Sequence, residues 1–207
     1  YVCGGFDGAH YLSAVEAYDP ARKSWQMTLP MEFAREGCAA VVLREHLYVC
    51  GGNDGAQTLN VCERLALEPA PSPEARPWAE MPPMRVRRDG ASAVAMKGRV
   101  YVCGGFDGAH YLSAVEAYDP ARKSWQMTLP MEFAREGCAA VVLREHLYVC
   151  GGNDGAQTLN VCERLALEPA PSPEARPWAE MPPMRVRRDG ASAVAMKGRV
   201  YVCGGFD

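Results

Sequence analysis

From Gly90 to Val102 the chain reads GASAVAMKGRVYV, two short apolar runs broken by the polar pair Lys97-Gly98. A two-residue polar break of this kind joins antiparallel strands, so the stretch predicts a hairpin that leads into Gly104-Gly105. Phe106-Asp107-Gly108 supplies the next turn, and Leu112 to Tyr118 (LSAVEAY) alternates in part before Asp119-Pro120 stops it, which predicts a third strand. Trp125 to Thr128 (WQMT), bounded by Ser124 and Leu129-Pro130, is short and partly polar, as an outer edge strand should be. No stretch has a helical period long enough to compete, so the unit is a four-stranded antiparallel meander.

This pattern repeats. Residues 1–100 and 101–200 are identical, and residues 201–207, YVCGGFD, begin a third copy. Within the hundred, YVCGG begins at Tyr1, Tyr48, Tyr101, Tyr148 and Tyr201, at steps alternating between 47 and 53 residues. The structural period is therefore about fifty. The interval from tryptophan to the following Arg-acid-Gly step is ten residues in both units, and from that arginine to the next diglycine it is sixteen. Only the interval from diglycine to tryptophan varies. The six extra residues fall in the proline-rich Glu68–Pro77 and its copy Glu168–Pro177, which have little tendency to pack.

A four-stranded sheet with apolar residues on both faces must be covered on both, so consecutive units stack. At this period and strand number the architecture that fits is the β-propeller. Gly-Gly after an apolar strand, then YLSAVEAYDP, Trp125, Met131 and Arg135, resembles the kelch repeat, with its diglycine, spaced Tyr and Trp, and Met-x-x-x-Arg step. The resemblance covers essentially the whole chain. It is weaker in the 53-residue unit, where NVCERLALEP replaces the Val-Glu-x-Tyr-Asp-Pro segment and Leu65 stands where Tyr18 would, leaving the third strand there less well defined.

Starting each unit at its Arg-acid-Gly step gives blades at 35–87, 88–134 and 135–187, and a fourth split between 188–207 and 1–34. The expectation is an all-β propeller of four blades, either a closed four-blade ring or an arc of a larger one. YVCGGFD occurs at both ends, so in a closed ring residues 1–7 and 201–207 compete for one strand slot. With a first residue that is Tyr, this reads as a piece of a longer array, although an engineered repeat, a recent duplication and an assembly artefact all fit letter-perfect identity.

The chain is 48% hydrophobic with a net charge of −3, as expected of one globular domain. A slightly acidic balance with no basic run longer than Arg85-Val86-Arg87-Arg88 does not point to nucleic acid. No apolar run approaches the roughly eighteen residues needed to span a membrane. The nine cysteines are odd in number, form no C-x-x-C pair and sit within apolar strand runs, so they read as buried thiols in a reducing, cytosolic or nuclear compartment. His10, His46, His110 and His146 lie near turns and read as solvated surface rather than metal ligands. Asp7-Gly8 and Asp54-Gly55 are turn formers, since the spacing of a calcium loop is missing. No metal, cofactor or catalytic constellation is expected.

The diglycines Gly4-Gly5, Gly51-Gly52, Gly104-Gly105 and Gly151-Gly152 lack the context of a phosphate cradle and read as places where one backbone passes close to another. Tyr18, Tyr118, Trp25, Trp78, Trp125 and Trp178 read as aromatics that pack the blades. In kelch domains that bind acidic peptides, arginines at the Arg-acid-Gly step and the side chain after the diglycine face one mouth of the channel. The resemblance therefore implies a partner-binding rim of Arg35, Arg88, Arg135 and Arg188 with Phe6, Asn53, Phe106 and Asn153. The competing reading is that each arginine pairs with the adjacent Glu36 or Asp89, or with a neighbouring blade.

Two functions follow from the resemblance. One is a non-catalytic protein-interaction scaffold, recognising a partner protein or peptide of acidic character. It would serve as the substrate-recognition part of a cullin-dependent ubiquitin ligase, through a BTB domain that this chain lacks, or as an actin-binding protein. The other is a kelch-type enzyme, an oxidase or sugar-acid epimerase. A twofold-repeated sequence argues against the second, because it offers the same residues twice and no unique cleft.

Overall fold

The computed structural model describes residues 1–67, 78–166 and 178–207. The proline-rich Glu68–Pro77 and Glu168–Pro177 segments lie outside these. All the regular structure among the described residues is β. Strands β1 (Val2–Cys3), β2 (Val15–Asp19) and β3 (Ser24–Met27) form a three-stranded sheet in that order. Three complete meanders follow. The first comprises β4 (Ala39–Leu43), β5 (His46–Cys50), β6 (Cys62–Ala66) and β7 (Trp78–Met81). The second is β8 (Ser92–Met96), β9 (Arg99–Cys103), β10 (Val115–Asp119) and β11 (Ser124–Met127). The third is β12 (Ala139–Leu143), β13 (His146–Cys150), β14 (Cys162–Ala166) and β15 (Trp178–Met181). Strands β16 (Asp189–Met196) and β17 (Arg199–Phe206) close the chain as a two-stranded sheet.

Local chemistry explains these elements. Lys97 and Gly98 both adopt positive φ, 48° and 74°, so β8 and β9 are joined by the tight mirror-image turn whose twist suits a hairpin. The third strand forms in the longer unit as well. There β6 pairs with β5 through Cys50↔Cys62 to His46↔Ala66, so Leu65 does for that strand what Tyr18 and Tyr118 do for theirs.

The second blade buries both faces against its neighbours. Tyr118, Trp125, Val100 and Val102 of the second blade pack on Tyr48, Cys62 and Met81 of the first. The opposite face, with Val94, Met96, Tyr101 and Val115, packs on Leu147, Val149, Leu165 and Trp178 of the third. The innermost strands β4, β8, β12 and β16 stand side by side around a channel of about 380 Å³. It is lined by Gly37–Ala40 and by the equivalent small residues starting at Gly90, Gly137 and Gly190. Hydrogen bonds cross between blades along this line, from Gly90 N to Gly37 O, Gly137 N to Gly90 O and Gly190 N to Gly137 O, at 2.8–3.0 Å.

The split blade does not assemble. Residues 1–34 and 188–207 stay in two separate sheets, and the chain is an open arc with three complete blades. β1 occupies the edge of β2 on which β17 would have to pair.

Candidate functional site

The diglycine brings each second strand to the start of the next blade. A Cβ on Gly4, Gly51, Gly104 or Gly151 would run into the backbone carbonyl oxygen of Arg35, Arg88, Arg135 or Arg188. The amide of the second glycine donates to that same carbonyl, as Gly5 N to Arg35 O (2.8 Å) and Gly52 N to Arg88 O (2.7 Å). Only glycine tolerates both the contact and the positive φ at this position.

The arginines do not form a rim. Arg35, Arg88 and Arg135 are wholly buried, and each guanidinium turns back into its own blade. Arg88 donates through Nη1 to the carbonyls of Gly104 and Ala114, both at 2.7 Å, and through Nη2 to Glu116 Oε1 at 3.0 Å. Arg35 does the same with Gly51, Val61 and Glu63, and Arg135 with Gly151, Val161 and Glu163, the carboxylate distances being 2.5 Å. Each glutamate also accepts the amides of the segment entering the blade, as Glu116 does from Arg85 N and Val86 N. A buried guanidinium cannot meet a partner without unpairing its carboxylate, which corrects the ligand-contact expectation for Arg35, Arg88 and Arg135. Neither is the adjacent acid the partner. The fourth arginine, Arg188, is only partly buried, and of these contacts it retains the one to the Gly204 carbonyl.

Sequence reasoning missed Glu63, Glu116 and Glu163. The signal was present, since an acid follows the arginine by 28 residues in both unit types.

The acids of the Arg-acid-Gly steps are what the channel mouth presents. Glu36 is backbone-paired with Asn53, Asp89 with Phe106 and Glu136 with Asn153, which sets the carboxylates beside the residues that follow the diglycines. Asp89 reaches over Gly37, and Asp189 over Gly137. Partial burial pushes the carboxyls of Asp89, Glu136 and Asp189 above the usual range. Glu36 adds to the effect at Asp89, and Asp189 with Asp89 adds to it at Glu136.

Around the mouth, Phe6 stacks on Tyr11 and Phe106 on Tyr111, with centroids 5.1 Å apart in each pair. Asn53 caps its own loop by accepting from Gly55 N at 2.7 Å, and Asn153 does so from Gly155 N. Asp7 and Asp54 act as turn formers, each accepting two backbone amides that hold the carboxyl below its ordinary pKa. His10 and His110 are exposed, whereas His46 and His146 are partly buried and lie beside Tyr48 and Tyr148. Among the described residues, no three His, Cys, Asp or Glu side chains gather closely enough to hold a metal ion.

The tryptophans lie between blades. Trp78, Trp125 and Trp178 donate their indole N–H to Leu29, Pro82 and Leu129 of the preceding unit. Trp25 stacks on Tyr18 as Trp125 stacks on Tyr118, but it stands 55% exposed, with no blade among the described residues packed against it. Six of the nine cysteines are buried, while Cys3 and Cys38 are partly so and Cys203 is exposed, which corrects the reading of all nine as buried thiols.

Four-stranded antiparallel blades stacked around a channel lined by small residues define a β-propeller architecture. The chain matches the model of the KLHDC2/KLHL20/DRC7 Kelch-repeats domain over residues 1–205, and it belongs to the kelch-repeat family. It is 31% identical to beta-scruin of Limulus polyphemus over 125 residues, 58% of this chain and 14% of that protein. It is 29% identical to human kelch repeat and BTB domain-containing protein 12 over 44% of this chain and 16% of that protein. Kelch-like protein 23 of Pongo abelii is 29% identical over 58% of this chain and 20% of its own length. The match thus spans a fifth or less of each of these relatives. The solved structure of YjhT shares the fold at a TM-score of 0.74 and 15% identity, covering 96% of this chain and 73% of that one.

Proposed function

We propose that the chain is a non-catalytic interaction scaffold that receives a segment of a partner protein on the diglycine face of the propeller. The observation that carries this reading is the pairing of half-exposed aromatic stacks, Phe6–Tyr11 and Phe106–Tyr111, with the carboxylates of Glu36, Asp89, Glu136 and Asp189 at one channel mouth. Tyrosine is enriched among binding hot spots, and carboxylates beside it supply charge complementarity that steers a partner. Arg35, Arg88 and Arg135 are buried and the mouth carries acids, so the segment it suits is basic; the exposed Arg87 and Arg187, which bond Gln57 and Gln157 on the adjoining loops, are the cations left to meet any acid such a segment carries.

The finer reading is that of a substrate-recognition module in a cullin-dependent ligase. It rests on likeness to a relative whose name joins kelch repeats to a BTB domain. An actin-binding role is the alternative within the same class.

Selection of random peptides on the folded chain tests the proposal. Enriched peptides should carry Lys or Arg and lose affinity as salt rises. They should also bind at least about tenfold more weakly to Phe106→Ala/Tyr111→Ala, the loss of one modest hot spot. Acidic peptides that ignore these substitutions would place recognition at the opposite, hairpin end. There Arg44, Arg64, Lys97 and Arg99 line a groove of about 500 Å³.

A further inference from the structure

The segments that enter the blades are held by the same frame at each interface. Trp78 donates its indole N–H to the Leu29 carbonyl, and Trp125 donates to that of Pro82, at 2.8 Å in both. Glu63 accepts the amides of Glu32 and Phe33, and Glu116 accepts those of Arg85 and Val86. On this shared backbone the side chains differ. Between the first and second blades the frame carries its own cation: Arg85 Nε donates to the Trp125 carbonyl at 3.4 Å, and Met127 stands opposite Glu116 on the outermost strand.

Between the N-terminal sheet and the first blade, Glu32 takes the place of Arg85, Phe33 that of Val86 and Glu80 that of Met127. These three residues and Trp78 line a cavity of about 530 Å³. Glu80 lies directly opposite Glu63 across β6 and β7, a like-charge pairing that destabilises a sheet. Arg35, whose guanidinium is 5.9 Å from the Phe33 ring, neutralises Glu63 and leaves Glu32 and Glu80 as the net charge of the cavity. Among the described residues, no cation pairs with the carboxylate of Glu32 or Glu80. The cavity belongs to this type of interface, since it recurs between the second and third blades, where Phe133, Trp178 and Glu180 help to line about 380 Å³.

We propose that the cavity before the first blade binds the guanidinium of an arginine side chain brought by a partner. Glu32 and Glu80 supply carboxylates that accept from a guanidinium fork, and the rings of Phe33 and Trp78 supply the faces on which it stacks. Arg85 shows that the frame admits this group, because at the next interface the chain's own guanidinium reaches the strand that carries the tryptophan. The cavity opens beside the outermost strand of the blade, away from the innermost strands that line the channel, so it is a site distinct from the Phe106–Tyr111 stack at the mouth.

Titration of the 1–207 chain with Nα-acetyl-arginine amide, followed through the tryptophan indole resonances by NMR, tests this. The Trp78 resonance should move saturably at millimolar concentration. The citrulline counterpart has the same shape without the charge and should bind at least about tenfold more weakly. Glu80→Gln should weaken binding of the arginine probe by about two- to fivefold, as expected for a partly solvated ion pair. Glu32→Arg/Phe33→Val gives this interface the residues that Arg85 and Val86 already supply on the same frame. That variant should melt within a few degrees of wild type and lose the Trp78 shift. Phe106→Ala/Tyr111→Ala should leave the shift unchanged, so this site and the channel mouth stand or fail separately. A wild-type Trp78 resonance that does not move would overturn the proposal, and is the result expected if the chain's own residues fill the cavity. Equal shifts with the citrulline probe, or a shift that survives in Glu32→Arg/Phe33→Val, would overturn it as well.

Discussion

Arg88 and Glu116 meet 3.0 Å apart with no exposed surface on either side chain, although 28 residues separate them in sequence. The pair ties the residue that enters a blade to that blade's third strand, and the same arrangement holds Arg35 to Glu63 and Arg135 to Glu163.

Removing one partner leaves a buried charge uncompensated. Glu116→Ala is therefore expected to lower unfolding free energy by about 3–5 kcal/mol, a large share of the roughly 5–15 kcal/mol typical of a domain. Replacing both by apolar residues of similar volume, as in Arg88→Met/Glu116→Leu, removes the uncompensated charge but leaves the Gly104 and Ala114 carbonyls and the Arg85 and Val86 amides without these partners, so it should recover only part of that loss. Urea unfolding of the two variants checks the difference.

Trp25 and Trp125 offer a comparison in which local sequence is held constant. Trp125 is 5% exposed and donates to the Pro82 carbonyl, so Trp125→Ala should cost about 3–5 kcal/mol. Trp25→Ala removes a largely solvated ring and should stay within about 0.5 kcal/mol in dilute solution. Equal losses would show that the N-terminal sheet is covered as the interior blades are.

The channel carboxylates make stability depend on pH in a defined direction. Folding raises the pKa of Glu136, chiefly by partial burial, so the folded chain binds this proton more tightly than the unfolded one does. The group's favourable contribution is full below the ordinary glutamate value of about 4.3 and is lost as pH rises through the raised folded value. Glu136→Gln keeps the neutral form. It should melt higher than wild type at neutral pH, by no more than about 4 °C, with the gap closing below about pH 4.

Thiol reactivity should follow position in the arc rather than sequence. Cys203 is exposed, whereas its copy Cys103 is buried and its thiol pKa is pushed up by desolvation. Burial likewise raises Cys38 and Cys138 to about 11. Ellman's reagent should modify Cys203 fastest in the monomer, and Cys203→Ser should abolish that phase.

The alternation of short apolar runs and turn pairs made the four-stranded meander and its order readable in advance. The turn at Lys97-Gly98 and the strand after Asp107-Gly108 depend on neighbours only a few residues away. The partner of each buried arginine had no local signal, because it lies on the third strand, beyond two turns, whereas neighbouring letters pointed to the adjacent acid. What distinguishes Trp25 from Trp125, or Cys203 from Cys103, had no local signal at all. Identical letters differ in burial because one copy has a blade against it and the other does not.

On the proposed function the buried arginines brace each blade from within, whereas the residues beyond the diglycines meet the partner. Titration calorimetry with one selected basic peptide, on Arg88→Met/Glu116→Leu and on Phe106→Ala/Tyr111→Ala, separates the two roles. The account predicts affinity within about twofold of wild type for the first variant, and a loss of at least about tenfold at unchanged melting temperature for the second. Loss of binding by a folded Arg88→Met/Glu116→Leu variant, with Phe106→Ala/Tyr111→Ala binding normally, would contradict it.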